Sequence, residues 1–171
     1  MMKKIINEKL HELIGLEWVK TTRASNMECL KFGTLYSFDN KGIRRQFGQF
    51  GLHLQCPWRI TKKDLILVGS DDLYEQPNEI DEYDENFNWD VQGGNLRDVK
   101  LESLLKCGKY IVSSVKADIF GGFELVFNDN LKLTVFPILS SKSRYSEYWR
   151  ILDNRNEKRE HFVVGALGIE K

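Results

Sequence analysis

Residues 110–136 carry the clearest pattern in the chain. Phe123, Leu125 and Phe127 alternate with Glu124 and Val126, and Leu131, Leu133 and Val135 alternate with Lys132 and Thr134. A period of two places each apolar set on one face of a sheet. Asn128-Asp129-Asn130 tolerates the positive φ of a tight turn between these runs, and Gly121-Gly122 supplies a turn or bulge before them. Residues 110–120 read as the preceding strand, and Pro137, which has no amide donor, ends the last one. The expected unit is an antiparallel meander with one buried face. If Glu124 and Lys132 stand opposite each other on its wet face, they form an ion pair worth about 0.2–1 kcal/mol.

On either side the pattern changes period. Ile6, Leu10 and Leu13 recur at helical spacing within residues 3–14, and Gly15 follows as a stop, which predicts an amphipathic helix. Strands are expected at 16–22, 27–37 and 44–56, with turns at 23–26 and 39–42. Leu30, Phe32 and Tyr36 would share a face of the second strand. Phe50, Leu52, Leu54 and Cys56 would share a face of the third, with Gln49, His53 and Gln55 on its other side. Pro57 breaks the ladder, and a short strand follows at 65–68. Asn95 offers an N-cap with Asp98 three residues on. Leu101, Leu104 and Leu105 then give the buried face of a second helix that Gly108 ends. Two last strands are read at 147–152, with Trp149 and Ile151 in the core, and at 161–167.

The sum is nine or ten strands in runs and two helices. That is an α+β fold, mainly antiparallel, with a strongly bent sheet or a sandwich-like half-barrel. At 171 residues, with no Pro/Ser/Gly-rich linker and no repeat, residues 1–171 are expected to form one domain.

Charge adds a second layer. Lys plus Arg number 25 and Asp plus Glu 25, a balance that argues against a general nucleic-acid binder. The balance hides segregation. Residues 64–130 hold 15 acids and 5 bases (−10), residues 1–63 hold 12 bases and 5 acids (+7), and residues 131–171 hold 8 bases and 5 acids (+3). Residues 69–94 contain nine acids and no Lys or Arg, interleaved with Tyr74, Tyr83, Phe87 and Trp89. A loop of that length in a compact domain is usually functional or mobile. Its acids would steer a basic partner and its aromatics would anchor it, which makes Asp81, Glu82, Tyr83, Asp84, Glu85, Phe87 and Trp89 the candidate contact residues. The competing reading folds the loop back on the basic N-terminal part of the same chain.

The first 18 residues are interrupted by Glu8, Lys9 and Glu12, so they read as neither a signal segment nor a membrane span. Cys29, Cys56 and Cys107 are widely spaced and no CxxC occurs, which fits buried, reduced thiols in a cytoplasmic protein.

The search for chemistry yields little. Asp84, Asn86, Asn88 and Asp90 place oxygens at alternate positions like the opening of a Ca²⁺ loop, but Trp89 stands where the turn glycine belongs and Asn95 where a bidentate Glu belongs. His53 and Cys56 are three apart on a strand and point to opposite faces. His161 with Glu147 or Asp153 offers a base and its orienter. Arg150, beside aromatic residues, would recognise a carboxylate or stack on a ring. No phosphate loop, HExxH or GxSxG is present, and three dispersed histidines make no zinc site. The expectation is therefore no catalytic residue, no metal and no cofactor.

Three stretches together have a familiar look: GLHLQCPWRI followed by LVGSDDLY, then FELVFNDNLKLTVFP, then EYWRILDN leading to HFVV. They resemble a group of small bacterial domains without assigned activity, in which a helix-plus-hairpin unit ends in a Glu-x-Trp-Arg strand. Some of these are encoded beside toxin systems. The resemblance spans most of the chain after Gly51. It implies a kingdom and a compartment and transfers no ligand residue.

The function expected first is a non-catalytic cytoplasmic binding protein, with an immunity-type inhibitor as its more specific form, that meets a basic protein through the acidic loop, with no nucleic acid and no membrane involved. The alternative is a small-molecule-binding protein or enzyme whose pocket on the curved sheet is lined by His53, Gln55, Arg59, Glu147, Arg150 and His161.

Overall fold

Eleven strands and two helices make up a computed structural model that describes residues 1–77, 82–143, 145–155 and 160–170. Helix α1 (Met2–His11) is followed by β1 (Glu17–Ala24), β2 (Met27–Asn40), β3 (Ile43–Leu54), β4 (Trp58–Lys62) and β5 (Leu65–Gly69). After the acidic loop come α2 (Leu96–Cys107), β6 (Tyr110–Ala117), β7 (Phe123–Phe127), β8 (Leu131–Val135), β9 (Glu147–Asp153), β10 (Glu160–Gly165) and β11 (Gly168–Ile169). The strands form one antiparallel sheet in the order β11-β10-β9-β3-β2-β1-β6-β7-β8-β4-β5, open at its two edges. The α+β class and the bent antiparallel sheet expected from the sequence are what the structure shows.

The bend has a local cause. β1 meets β6 through only two residue pairs, Glu17 with Ile111 and Trp18 with Tyr110. At this narrow seam the sheet folds so that the apolar faces of its two halves meet. Phe32 of β2 stacks on Phe127 of β7, with ring centroids 6.5 Å apart and planes at 7°. Trp149 of β9 stands edge-on to Phe123 of β7 at 4.9 Å, and its indole N–H donates to the carbonyl of Gly121 at 2.7 Å. Residues 55–57 carry the chain across between the halves. The Gln55 and Cys56 amides both donate to the Tyr148 carbonyl, and the Pro57 carbonyl accepts from the Phe136 amide.

The meander of β6–β8 follows the sequence pattern. Phe123, Leu125, Phe127, Leu131, Leu133 and Val135 are all buried, and Asp129 and Asn130 turn the chain with positive φ. Glu124 lies opposite Thr134, and its ion pair with Lys132 is made diagonally at 3.6 Å. β6 ends at Ala117, earlier than expected, because Asp118 accepts from the Phe120 and Gly122 amides and starts the turn. Helix α1 seals one flank through Ile6 and Leu10, and Leu13 just beyond it, all fully buried. The Asn7 side chain accepts from the Ala117 amide. The last strand, expected at 161–167, ends at Gly165, Leu167 is exposed, and the short β11 follows beyond it.

Two expectations fail for identifiable reasons. Tyr36 does not share the buried face of Leu30 and Phe32. Gly33 and Thr34 together oppose Gln49, a bulge with Gly33 at φ 74°, and the phase of the strand changes there, leaving Tyr36 exposed against Phe47. Arg23 is not in the turn. β1 continues to Ala24, the turn is made at Ser25 with φ 54°, and Arg23 is buried. Cys29 and Cys56 are buried as expected, whereas Cys107 is exposed. No helix among the described residues is long and apolar enough to cross a membrane.

Gly33 is the position most sensitive to a side chain. A Cβ there would lie 2.7 Å from Gln49 Oε1 at a backbone angle that favours glycine. Gly33→Ala is expected to destabilise the protein by about 1–3 kcal/mol. Urea unfolding checks this: a shifted midpoint at constant slope is the predicted result, and an unchanged midpoint would contradict the bulge.

Candidate functional site

The acidic loop is closed at its base, where the Leu96 amide donates to the Glu75 carbonyl at 2.9 Å. A 3-10 turn at Ser70–Tyr74 leads in, with the Gly69 amide donating to Asp72. Gln76 braces the span, donating to the Glu82 carbonyl at 2.7 Å and accepting from the Asp84 amide at 2.9 Å. Asp84 accepts from the Asn86 amide and Asn88 from the Asp90 amide, the local turns that Asp and Asn side chains favour. Asp84 and Asn88, two of the alternating residues that suggested a Ca²⁺ loop, thus each commit an oxygen to backbone, and Asp90 is engaged with Arg23. Among the described residues no group of three or more His, Cys, Asp or Glu side chains is placed to hold a metal.

Of the expected contact residues, Glu82, Tyr83, Asp84 and Glu85 are exposed, Tyr83 by 71%. Phe87 and Trp89 are half-buried, Trp89 edge-on to Tyr74 at 5.5 Å. Asp81 lies outside the described residues.

The returning limb of the loop is gripped by Arg23. Its Nη2 donates to the carbonyls of Trp89, Asp90 and Val91 at 3.0–3.2 Å, its Nη1 to Asp90 Oδ1 at 3.1 Å, and its Nε to both oxygens of Asp98, the nearer at 2.9 Å. Burial works against the Arg23 charge, but Asp98 and Asp90 outweigh it and the guanidinium pKa is raised. Asn95 completes the clasp. It caps α2 by accepting from the Asp98 amide and donates to the Trp89 carbonyl at 2.9 Å. This is the folding-back on the basic N-terminal part, made by one buried arginine.

Next to this clasp lies a second buried charge pair. Arg97 Nη2 stands 3.2 Å from Glu28 Oε2, and both side chains are nearly sealed from water. Arg97 Nη1 donates to the carbonyls of Asn26 and Ser70, and its guanidinium lies 5.8 Å from the Trp58 ring. Thr21 donates to Glu28 Oε1. Desolvation pushes the Glu28 carboxyl up to about 7, against the opposing pull of Thr21 and Arg97. Glu28 also lines a cavity of about 380 Å³ between β1 and α2, with Val19, Leu101 and Leu105 among its apolar walls. Sequence reasoning passed over Glu28, Arg97 and Arg23. The available signal was that Arg97 precedes Leu101 by four and so shares its helical face.

The alternative pocket residues are only partly brought together. His53 of β3 pairs with Arg150 of β9, and Arg150 pairs with Val163, two residues from His161, so the three share the outer face of one half. A register shift beside Val164 and Gly165 brings Glu147 to Arg150, which it holds by a two-point ion pair. Gln55 is exposed at the end of β3. Arg59 belongs to the other half, on β4, over the Phe136 ring at 5.6 Å.

Among the described residues no hydrogen bond joins His53 to Cys56, or His161 to Glu147 or Asp153, and Glu147 is taken up by Arg150. Burial pushes the Cys56 thiol up to about 12, and burial plus the Arg150 charge lowers His53 to about 4. Asp153 pairs with Glu160, one position out of phase with His161, and is engaged by Arg155, whose hydrogen bonds hold its pKa low.

Two outcomes are expected. Arg23→Met leaves Asp98 and the carbonyls of residues 89–91 without their donor and should cost about 3–5 kcal/mol, with faster amide exchange at the loop base. Unchanged exchange there would refute the clasp. Glu28 and His53 tilt the pH dependence in opposite senses. The folded chain keeps the Glu28 proton between about pH 4.5 and 7, where the unfolded chain releases it, so this contribution falls as pH rises. His53 stays neutral down to about pH 4 when folded, so its contribution is present above pH 6.5 and is lost as pH falls. Relative to the parent protein, Glu28→Gln should therefore make stability rise more steeply from pH 4.5 to 7, and His53→Gln less steeply. Urea titrations at five pH values check this, and three parallel curves would rule it out. Comparison with protein-family models, curated proteins and solved structures finds no match to this chain.

Proposed function

We propose that the chain is a non-catalytic binding protein that offers its acidic loop to a basic protein partner. The observation that carries the reading is the contrast between the middle of the loop and its returning limb. The limb at residues 89–91 is fastened by Arg23, while Glu82, Asp84 and Glu85 are exposed, and among the described residues no Lys or Arg pairs with them. Unneutralised acids on a tethered segment attract a basic surface over a Debye length of about 8–10 Å and speed the encounter. Tyr83, beside them and mostly exposed, supplies an aromatic anchor of the kind that dominates interface energies. The resemblance to bacterial domains encoded beside toxin systems extends the proposal to a cytoplasmic immunity-type inhibitor.

The alternative, a small-molecule site or enzyme, draws on the gathering of His53, Glu147, Arg150 and His161. It is weakened by the placement of Arg59 on the other half of the sheet and by the commitment of Glu147 to Arg150.

The test is a triple variant, Glu82→Gln, Asp84→Asn and Glu85→Gln, with binding to a lysine-rich reference peptide and to partners captured from the native cells measured at low and high salt. The variant should bind at least about tenfold more weakly at low salt with an unchanged thermal midpoint, since the Asp84→Asn side chain keeps the oxygen that Asn86 uses. Undiminished binding would overturn the proposal.

A further inference from the structure

The outer side of the sheet at β1, β2 and β3 carries a concentration of positive charge. There the strands leave a groove of about 720 Å³ lined by Lys20 and Thr22 of β1, Lys31 of β2, and Arg44, Arg45 and Gln46 of β3, with Arg23 at its border. Lys20 and Lys31 are direct cross-strand partners, an arrangement of like charges that disfavours the ladder. Both ammonium groups are nevertheless fixed on one residue. Lys20 Nζ donates to Gln46 Oε1 and Lys31 Nζ to the Gln46 carbonyl, each at 2.8 Å. Burial, then the charge of Lys20, lowers the Lys31 pKa. Arg44 and Arg45 are exposed beside them, and the lining contains no carboxylate. Asp39 faces Arg44 across the ladder, yet among the described residues it makes no ion pair with Arg44, and none involves Lys20, Lys31 or Arg45.

We propose that this groove binds a small ligand carrying two or more phosphate groups, a nucleoside polyphosphate or an inorganic polyphosphate. Two ammoniums held side by side at a cost to the fold, with two exposed arginines in the same lining and no ion pair to any of the four among the described residues, match a compact multivalent anion better than a single monoanion. The two ammoniums act as fixed point charges, and the two guanidiniums offer paired donors to phosphate oxygens. An extended nucleic acid is the poorer fit. The neighbouring cavity shares Lys20, Thr22 and Arg23 with the groove and is also lined by Glu28, Asp98 and Glu102, so a long polyanion leaving the groove on that side meets carboxylates. This site does not depend on the protein-partner reading.

Calorimetric titration of the full chain tests it, with inorganic tripolyphosphate, ATP and orthophosphate as probes at low and physiological salt. Tripolyphosphate should bind with one-to-one stoichiometry, at least tenfold tighter than orthophosphate, and more weakly as salt rises. Arg44→Gln with Arg45→Gln, both exposed and in no ion pair among the described residues, should lower that affinity at least tenfold. Lys116→Gln with Lys132→Gln, on the other half of the sheet, should leave it unchanged. ATP binding much tighter than tripolyphosphate supports the site and identifies the nucleotide as its source, whereas equal affinities support it as a polyphosphate site. Non-saturable binding, an equal effect of both double variants, or tight binding of a single-stranded oligonucleotide with none of tripolyphosphate would each overturn the proposal.

Discussion

A sheet with one apolar face cannot stay flat in water, and the architecture of this protein follows from that constraint. Burying a large aromatic or aliphatic side chain is worth about 1.5–3 kcal/mol. Here that gain is available only if one half of the sheet closes on the other. The two-pair seam between β1 and β6 lets it close, and the edge-on contact of Trp149 with Phe123 and the stacking of Phe32 on Phe127 fill the interior. The indole hydrogen bond to Gly121 makes the closure specific, because a buried N–H left unpaired would cost about 1–3 kcal/mol.

Closing the apolar faces also sorts the charges. The core-facing positions of β1 and β2 run out at Arg23 and Glu28, which are cross-strand partners at the end of the ladder. There the interior is lined with charge, and α2 meets it with Asp98 and Arg97. Two buried ion pairs result. One ties the returning limb of the acidic loop to the body of the protein. The other places Glu28 where desolvation outweighs its partner and lets the carboxyl take up a proton near neutral pH. Buried pairs of this kind add little net stability compared with apolar residues of the same volume. Their consequence here is positional, since they fix where the acidic segment leaves the fold.

The outer face has the opposite character. Lys20, Lys31, His53, Arg150 and His161 project from the same half of the sheet, and among the described residues Glu147 pairs with Arg150 alone. The near-neutral total of the chain is therefore a sum of separated fields. An acidic loop tethered at its base and a basic groove meet at Arg23, which belongs to both.

Local pattern determined much of this protein. The alternation in β7 and β8, the apolar stripe of α1, the Asn95 cap of α2 and the class of the sheet all follow from side-chain periodicity and turn chemistry, which act over a few residues and can be read from a few residues. The acidity of the loop and the inward direction of Trp149 were legible for the same reason. Tertiary structure decided the rest. Whether residue 23 belongs to a turn or a strand, which way Tyr36 points after Gly33, and whether His161 meets Asp153 all depend on register, and a one-residue shift changes the face of every side chain that follows. The burial of Arg23, Glu28 and Arg97 was hidden because a charged residue enters the interior only when its partner arrives from far along the chain. Asp98 lies 75 residues from Arg23, and no local rule carries that distance.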